Sequence, residues 1–260
     1  MPELLSSWFE PAAGLQMARY LNDVIGAMVA KSSSALVGLG AVPLQDVDLA
    51  IEELRRLMAE PGFAGVQIGS NVNGVPIGHA RFDPFFEACE ALGAAVFVHA
   101  LKPTGMDRLV GPAALQQVFA YPSDVGLAAA SVITGNLIVR RPKLRIAFSH
   151  GGGTLAMLLP RLEQSRHVFA PLGDLLSESP STQAGKLFYD TLVFDPATLQ
   201  HLVQRFGDTQ LMIGTDQPFN FCERAPLQKI DALGLDAAAR DRPIQGNARR
   251  FLGLAERVAA

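Results

Sequence analysis

The sequence predicts an α/β fold with parallel strands, of the TIM-type (β/α)8 barrel kind but with about six of the eight strands, and three observations lead there. Six short apolar runs recur along the 260 residues: ALVGLGAV (35–42), GVQIGS (65–70), AAVFVHA (94–100), LRIAFSH (144–150), KLFYDTLV (186–193) and QLMIGTD (210–216). They are continuous rather than alternating, the pattern of parallel strands buried on both faces. Stretches of helical period lie between them, as in α/β folds. The first run ends in Gly38, Gly40 and Pro43 instead of the G-x-G-x-x-G turn that a dinucleotide-binding doubly wound sheet requires. A barrel fits the length, and six strands leave it two short of closure.

The elements follow in order. Leu15, Ala18, Leu21, Val24, Ile25, Met28 and Val29 form one apolar face of a helix from Gly14 to Lys31, with Trp8 and Phe9 expected to pack beneath it. Val47, Ala50, Ile51, Leu54, Leu57 and Met58 do the same between Asp46 and Glu60, with Asp46 as N-cap and Pro61 as stop. Residues 83–92, 154–167, 196–206 and 246–254 read as helices, and 112–139 as two helices broken near Pro122. No repeat or low-complexity linker divides the chain, so residues 1–260 are read as a single domain, incomplete as a barrel.

Composition excludes several function classes. At 49% hydrophobic and 18% charged residues the chain is not disordered. With 22 Lys and Arg against 25 Asp and Glu it lacks the basic excess of a nucleic-acid binder. The weakly polar run 127–139 falls short of the ~18 apolar residues of a membrane span, and MPELLSSWFEP has no basic n-region of a signal peptide. Cys89 and Cys222 form no disulfide framework. A cytoplasmic setting is expected, with no nucleic-acid or membrane partner.

Three strands end in His99, His150 and Asp216. Singly, each histidine reads as a hydrogen-bonded structural residue and the aspartate as a turn residue. Together, at the end of a barrel where catalytic groups stand, two imidazoles and a carboxylate suit zinc or a similar divalent ion. Gly151, Gly152 and Gly153 read as a tight strand-to-helix turn or an anion cradle. Asp190 reads as a strand-end cap or as a group orienting His150 or a substrate. Asp107 and Arg108 read as a solvated pair, with Arg108 also suited to a substrate carboxylate. Asn71, Asn73 and Gly74 read as a turn near the barrel mouth.

VFVH, IAFSHGGGTLAMLLPRLE, MIGTDQPF and GNARRFLGL, preceded by LVGLGAVPLQDVDLAIEEL and FAGVQIGSNVNG, resemble the amidohydrolase-related family typified by aminocarboxymuconate-semialdehyde decarboxylase, over nearly the whole chain. The resemblance implies a barrel of the metal-dependent hydrolase kind with a mononuclear, usually zinc, site. It makes His99 and Asp216 metal ligands and His150 the residue that activates metal-bound water and shuttles protons. It also implies a homodimer acting on a small unsaturated or aromatic carboxylic acid, with a substrate-binding arginine in the helix after HGGG. Arg161 and Arg166 lie there, and Arg161 also reads as structural. Arg161 joins Arg108 and Asn73, read from the residues above, as candidate substrate-binding residues. The family's initial H-x-H pair has no counterpart here. The first two β/α units are therefore expected to be missing and the divalent-metal site incomplete. Decarboxylation is the expected activity. The alternatives are hydrolysis of an amide or lactone, and an inactive fragment or non-catalytic dimer partner.

Overall fold

A computed structural model of the chain describes residues 7–33 and 35–254. Helix α1 (Pro11–Lys31) leads to β1 (Gly38–Gly40), α2 (Val47–Ala59) and β2 (Phe63–Gly69). A small antiparallel hairpin, β3 (Asn71–Val72) with β4 (Val75–Pro76), precedes α3 (Asp83–Leu92) and β5 (Ala95–His99). Then come α4 (Tyr121–Thr134), α5 (Leu137–Arg140), β6 (Arg145–Phe148), α6 (Leu155–Val168), α7 (Ala170–Leu175) and α8 (Pro180–Ala184). The chain continues through β7 (Phe188–Asp190), α9 (Pro196–Phe206), β8 (Leu211–Met212), α10 (Pro226–Asp231), α11 (Ala237–Asp241) and α12 (Asn247–Leu252).

The six strands of the main sheet run β1-β2-β5-β6-β7-β8, every neighbouring pair parallel. Sequence order is thus spatial order, the arrangement of a barrel wall rather than of a doubly wound sheet, whose order reverses. Val66, Ile68, Val96, Val98, Ile146, Phe148, Tyr189 and Leu211 point to the helical layer and share its core with Leu54, Leu57, Phe85, Phe86, Leu199 and Phe206. Tyr189 stacks on Phe206 with centroids 3.8 Å apart and donates its hydroxyl to the Ala184 carbonyl. The alternate residues Ala95, Ala147, Phe188 and Met212 point the other way, where Phe251 of α12 seals their lower end. Each fully buried Leu or Phe contributes roughly 1.5–3 kcal/mol.

The sequence places the strands correctly but draws several elements too long or in the wrong place. The 35–42 run shrinks to three residues because Leu36 and Val37 remain exposed and only residues from Gly38 onward find register with β2. Near Pro122 the helix changes type, a π-helical stretch (116–120) running directly into α4 one residue before the proline, and a further break falls at Gly135 and the left-handed Asn136. Phe9 is exposed, and Trp8 lies under the Lys102 ammonium, 3.9 Å from its ring centroid, instead of beneath α1.

One polar cluster ties α1, β1 and α2 together. Asn22 on α1 donates to the Ala41 carbonyl (2.9 Å) and to Glu53 Oε1 (2.7 Å), and its Oδ1 accepts from Ala41 N (2.7 Å). Glu53, fully buried on α2, also accepts from Arg19 (3.1 Å) and Arg56 (2.8 Å). Burial alone would raise the Glu53 carboxyl, but the bonds from Arg56, Asn22 and Arg19 outweigh it and hold it below the usual glutamate value. Its stabilisation is therefore present above the unfolded-state value and lost as pH falls through the lower folded one. Glu53→Gln is expected to cost about 1–3 kcal/mol at pH 7. In urea denaturation the gap to the wild type should narrow below pH 4; a gap that widens there would contradict this account.

Candidate metal and acid–base site

Each candidate side chain is placed by its strand. His99 ends β5 on the face shared with Ala95 and Phe97, away from the helices. His150 follows β6, and Asp216 lies four residues beyond the end of β8. One ligand atom from each of His99, His150 and Asp216 lies within 4.8 Å of the other two, and all three residues are half-buried. The two imidazole rings are 5.0 Å apart, edge to face. His99 Nδ1 lies 3.1 Å from the Ala100 carbonyl. That contact favours the tautomer with the proton on Nδ1, which leaves the Nε2 lone pair for a ligand.

The backbone at His150 is unusual. His150 itself has φ 54°, followed by 63°, 76° and 60° at Gly151, Gly152 and Gly153. Glycine is required for more than φ: a Cβ on Gly153 would lie 1.9 Å from the Pro122 carbonyl oxygen. Every N–H of this turn has a protein partner. Gly151 donates to Asp190 Oδ1 (2.8 Å), Gly152 to the Ser149 carbonyl (3.0 Å), Gly153 to the His150 carbonyl (2.9 Å) and Thr154 to the Pro122 carbonyl (3.2 Å). The triple glycine is thus a tight turn, with those N–H groups engaged internally rather than cradling an anion.

Burial, with a smaller contribution from His99, pushes His150 down to about 3. It is a neutral imidazole near pH 7, fit to accept a proton or to ligate a cation. Burial pushes the Asp190 carboxyl up to about 6, against the pull of N–H groups from Gly151, Leu192 and His150 and with a further push from Asp216.

Two adjoining cavities share His99, His150, Leu192, Asp216 and Phe219. One, of about 380 Å³, is walled by Tyr121, Val118, Phe194, Phe219 and Phe221, with Gln117 and Thr198 as neutral polar groups. The other, of about 470 Å³, runs down the concave face past Gln67, Phe97 and Asp190 to Phe251. Phe194 and Phe221 are in contact at 4.7 Å, with Lys229 over Phe194. Lys229 also pairs with Glu223, which anchors the loop after Asp216.

The structure does not bring the other candidates to these cavities. Arg108 is exposed in a turn after β5, and Asn73 is exposed at the tip of the hairpin, donating to the Ser7 carbonyl. Arg161 is exposed on α6, beside a groove against α4. The aromatic wall escaped the sequence reading. Phe219 and Phe221 follow Asp216 closely enough to be placed at the mouth, but Tyr121 and Phe194 carry no local signal.

The amidohydrolase family model matches residues 6–254. The chain is 37% identical over 259 residues to 2-amino-3-carboxymuconate-6-semialdehyde decarboxylase of Dictyostelium discoideum, spanning 98% of this chain and 71% of that protein. Among solved structures it is similar to 5-carboxyvanillate decarboxylase from Sphingomonas paucimobilis (25% identity, TM-score 0.84, 96% of this chain and 76% of that one). It is also similar to a dihydroxybenzoic acid decarboxylase from Polaromonas with bound manganese and the inhibitor 2-nitroresorcinol (23% identity, TM-score 0.81, 94% and 77%).

In the metal-free chain, the unfolded state protonates His150 near its ordinary value of 6.5 while the folded state stays neutral to about 3. Stability contributed by neutral His150 is thus lost as pH falls. Relative to His150→Gln, the wild type should lose about 2 kcal/mol between pH 7 and pH 5. Paired urea titrations measure the difference, and parallel pH dependences would refute the buried neutral imidazole.

Proposed function

Because the chain belongs to the amidohydrolase family, we propose that it is a divalent-metal-dependent decarboxylase of a small aromatic or unsaturated carboxylic acid. The observation that carries the proposal is the convergence of His99, His150 and Asp216 beside an aromatic-walled cavity. The named relatives, all decarboxylases, supply the reaction class. Two imidazoles and a carboxylate also fit a divalent ion by donor chemistry. We take zinc as that ion; manganese, bound in the Polaromonas structure, is the other candidate. His99 and Asp216 would hold it, with His150 beside them. When bound, such an ion polarises a substrate oxygen and lowers the pKa of water.

The chain's own residues supply the rest. Tyr121, Phe194, Phe219 and Phe221 clamp the flat part of the acid and exclude water from it. Neutral His150 takes a proton from water and passes it to the carbon that bears the carboxylate. The carbon–carbon bond then breaks, carbon dioxide leaves with the hydroxide as bicarbonate, and His150 is neutral again. The substrate contacts expected of Arg108, Arg161 and Asn73 pass in this proposal to the aromatic wall, Gln117 and Thr198.

A homodimer and a cytoplasmic setting belong to the same proposal. Leu127, Met157, Leu158, Val168 and Phe169 are exposed around the groove between α4 and α6, an apolar face of the kind that marks an interaction surface. Cys89 and Cys222 are both free, in keeping with a reducing compartment. Among the described residues no helix is long and apolar enough to cross a membrane.

The activity test reconstitutes the metal-free chain with zinc or manganese. Carbon dioxide release is then followed from hydroxybenzoates and unsaturated carboxylic acids, beside proton release from lactones. Release of carbon dioxide, lost on chelation and reduced about 10²–10⁴-fold in His150→Gln, is the expected outcome. Lactone hydrolysis alone would establish the hydrolase, and neither activity with either metal would sink the proposal. Light scattering should give a dimer for the wild type and a monomer for Met157→Glu with Leu158→Glu; a monomeric wild type would remove the dimer.

A further inference from the structure

Asp190 ends β7 on the concave side, only 5% exposed, with no cation paired to it among the described residues. Its Oδ1 accepts two backbone bonds, from Gly151 N (2.8 Å) and Leu192 N (3.0 Å). The first reaches across from β7 to the residue after His150. The second closes the turn that carries Leu192 into the wall of both cavities. His150 holds φ 54°, a conformation uncommon among L-residues although histidine tolerates it better than most, so its surroundings help to hold it. Beside the His99 ring, the His150 imidazole makes a 3.4 Å approach of Nδ1 to Ser149 Oγ, so its aim depends on the backbone that carries it.

We propose that Asp190 is a positioning residue whose Oδ1, by holding the Gly151 N–H, keeps the His150 turn left-handed and aims the imidazole into the cleft. What matters is the place of the oxygen acceptor. The other carboxylate oxygen faces Gly214 and the lower cavity. An amide there leaves the Oδ1 bonds intact, while one extra methylene displaces them. The inference rests on His150 being the acid–base group, so its test includes a readout that needs no substrate.

The chain has five histidines, which makes their ring Cε1–H signals resolvable by NMR of histidine-labelled protein, with His150→Gln assigning one of them. In Asp190→Asn the His150 signal should stay at its wild-type position. In Asp190→Glu it should shift or split while those of His79, His167 and His201 stay in place. With a turned-over acid, Asp190→Asn should keep kcat within about threefold. Asp190→Glu should lose about 100-fold in kcat with little change in KM, the scale expected for a misplaced catalytic group. If the five signals of Asp190→Glu collapse together, marking an unfolded chain, Asp190→Ala is read by the same criteria. An unmoved His150 signal in both acceptor-altering variants overturns the proposal. So does a loss in Asp190→Asn equal to that in Asp190→Glu, which would assign the role to charge. If no acid is turned over, the NMR arm still decides this inference, and the decarboxylase proposal fails separately.

Discussion

In a parallel sheet whose helices pack on one side, every second residue of each strand must point to the other side. That alternation governs the molecule. Val96 and Val98 of β5 enter the helical core, so Ala95, Phe97 and His99 face the opposite way. The same parity places Ala147 and Ser149 after one another on the β6 edge of the cleft, and Phe188 and Asp190 on β7. The lower residues on this face are small or apolar and close around Phe251, while the upper ones are polar and meet in the cleft. A slip of one residue in any pairing would send the histidines into hydrocarbon and the valines into the cleft.

The chain leaves each strand under a second constraint, the need to satisfy backbone groups in turns that are themselves buried. After β6 this is met by four residues of positive φ in succession, His150 to Gly153, with the N–H groups of the three glycines taken by Asp190, Ser149 and His150 and that of Thr154 by Pro122. After β8 the left-handed Asp216 receives Phe219 N on its carbonyl, and Glu223 N bonds Thr215 O. Chemistry and backbone closure therefore use the same few residues. The loop beyond Asp216 is also what brings Phe219 and Phe221 over the cleft.

Electrostatics follows from this geometry. Burial, with a smaller push from the neighbouring His99, keeps His150 neutral, and burial raises Asp190. Neither effect is a property of the residue alone. Such opposed shifts in one cleft are common where groups handle protons. Far from the cleft, the Glu53 cluster does structural work, joining α1 to β1 and α2 at the start of the strand order.

By itself the sequence determined the parallel α/β class, the six strand positions, the helices with clear apolar faces, and the three strand ends that meet. These signals are local: continuous apolar runs, a 3.6-residue period, an N-cap at Asp46 that accepts from Leu49 N, and polar residues where a strand stops. Only the tertiary structure decided the exact strand lengths, because a strand lasts only as long as a neighbour is in register, as Leu36 and Val37 outside β1 illustrate. It alone moved Arg108, Arg161 and Asn73 away from the cavities and put Tyr121 and Phe194 into them, since contacts across tens of residues leave no local period. The link from Asp190 to the residue after His150 spans 39 positions. It exists because β6 and β7 lie side by side, a fact of packing that no short stretch of sequence encodes.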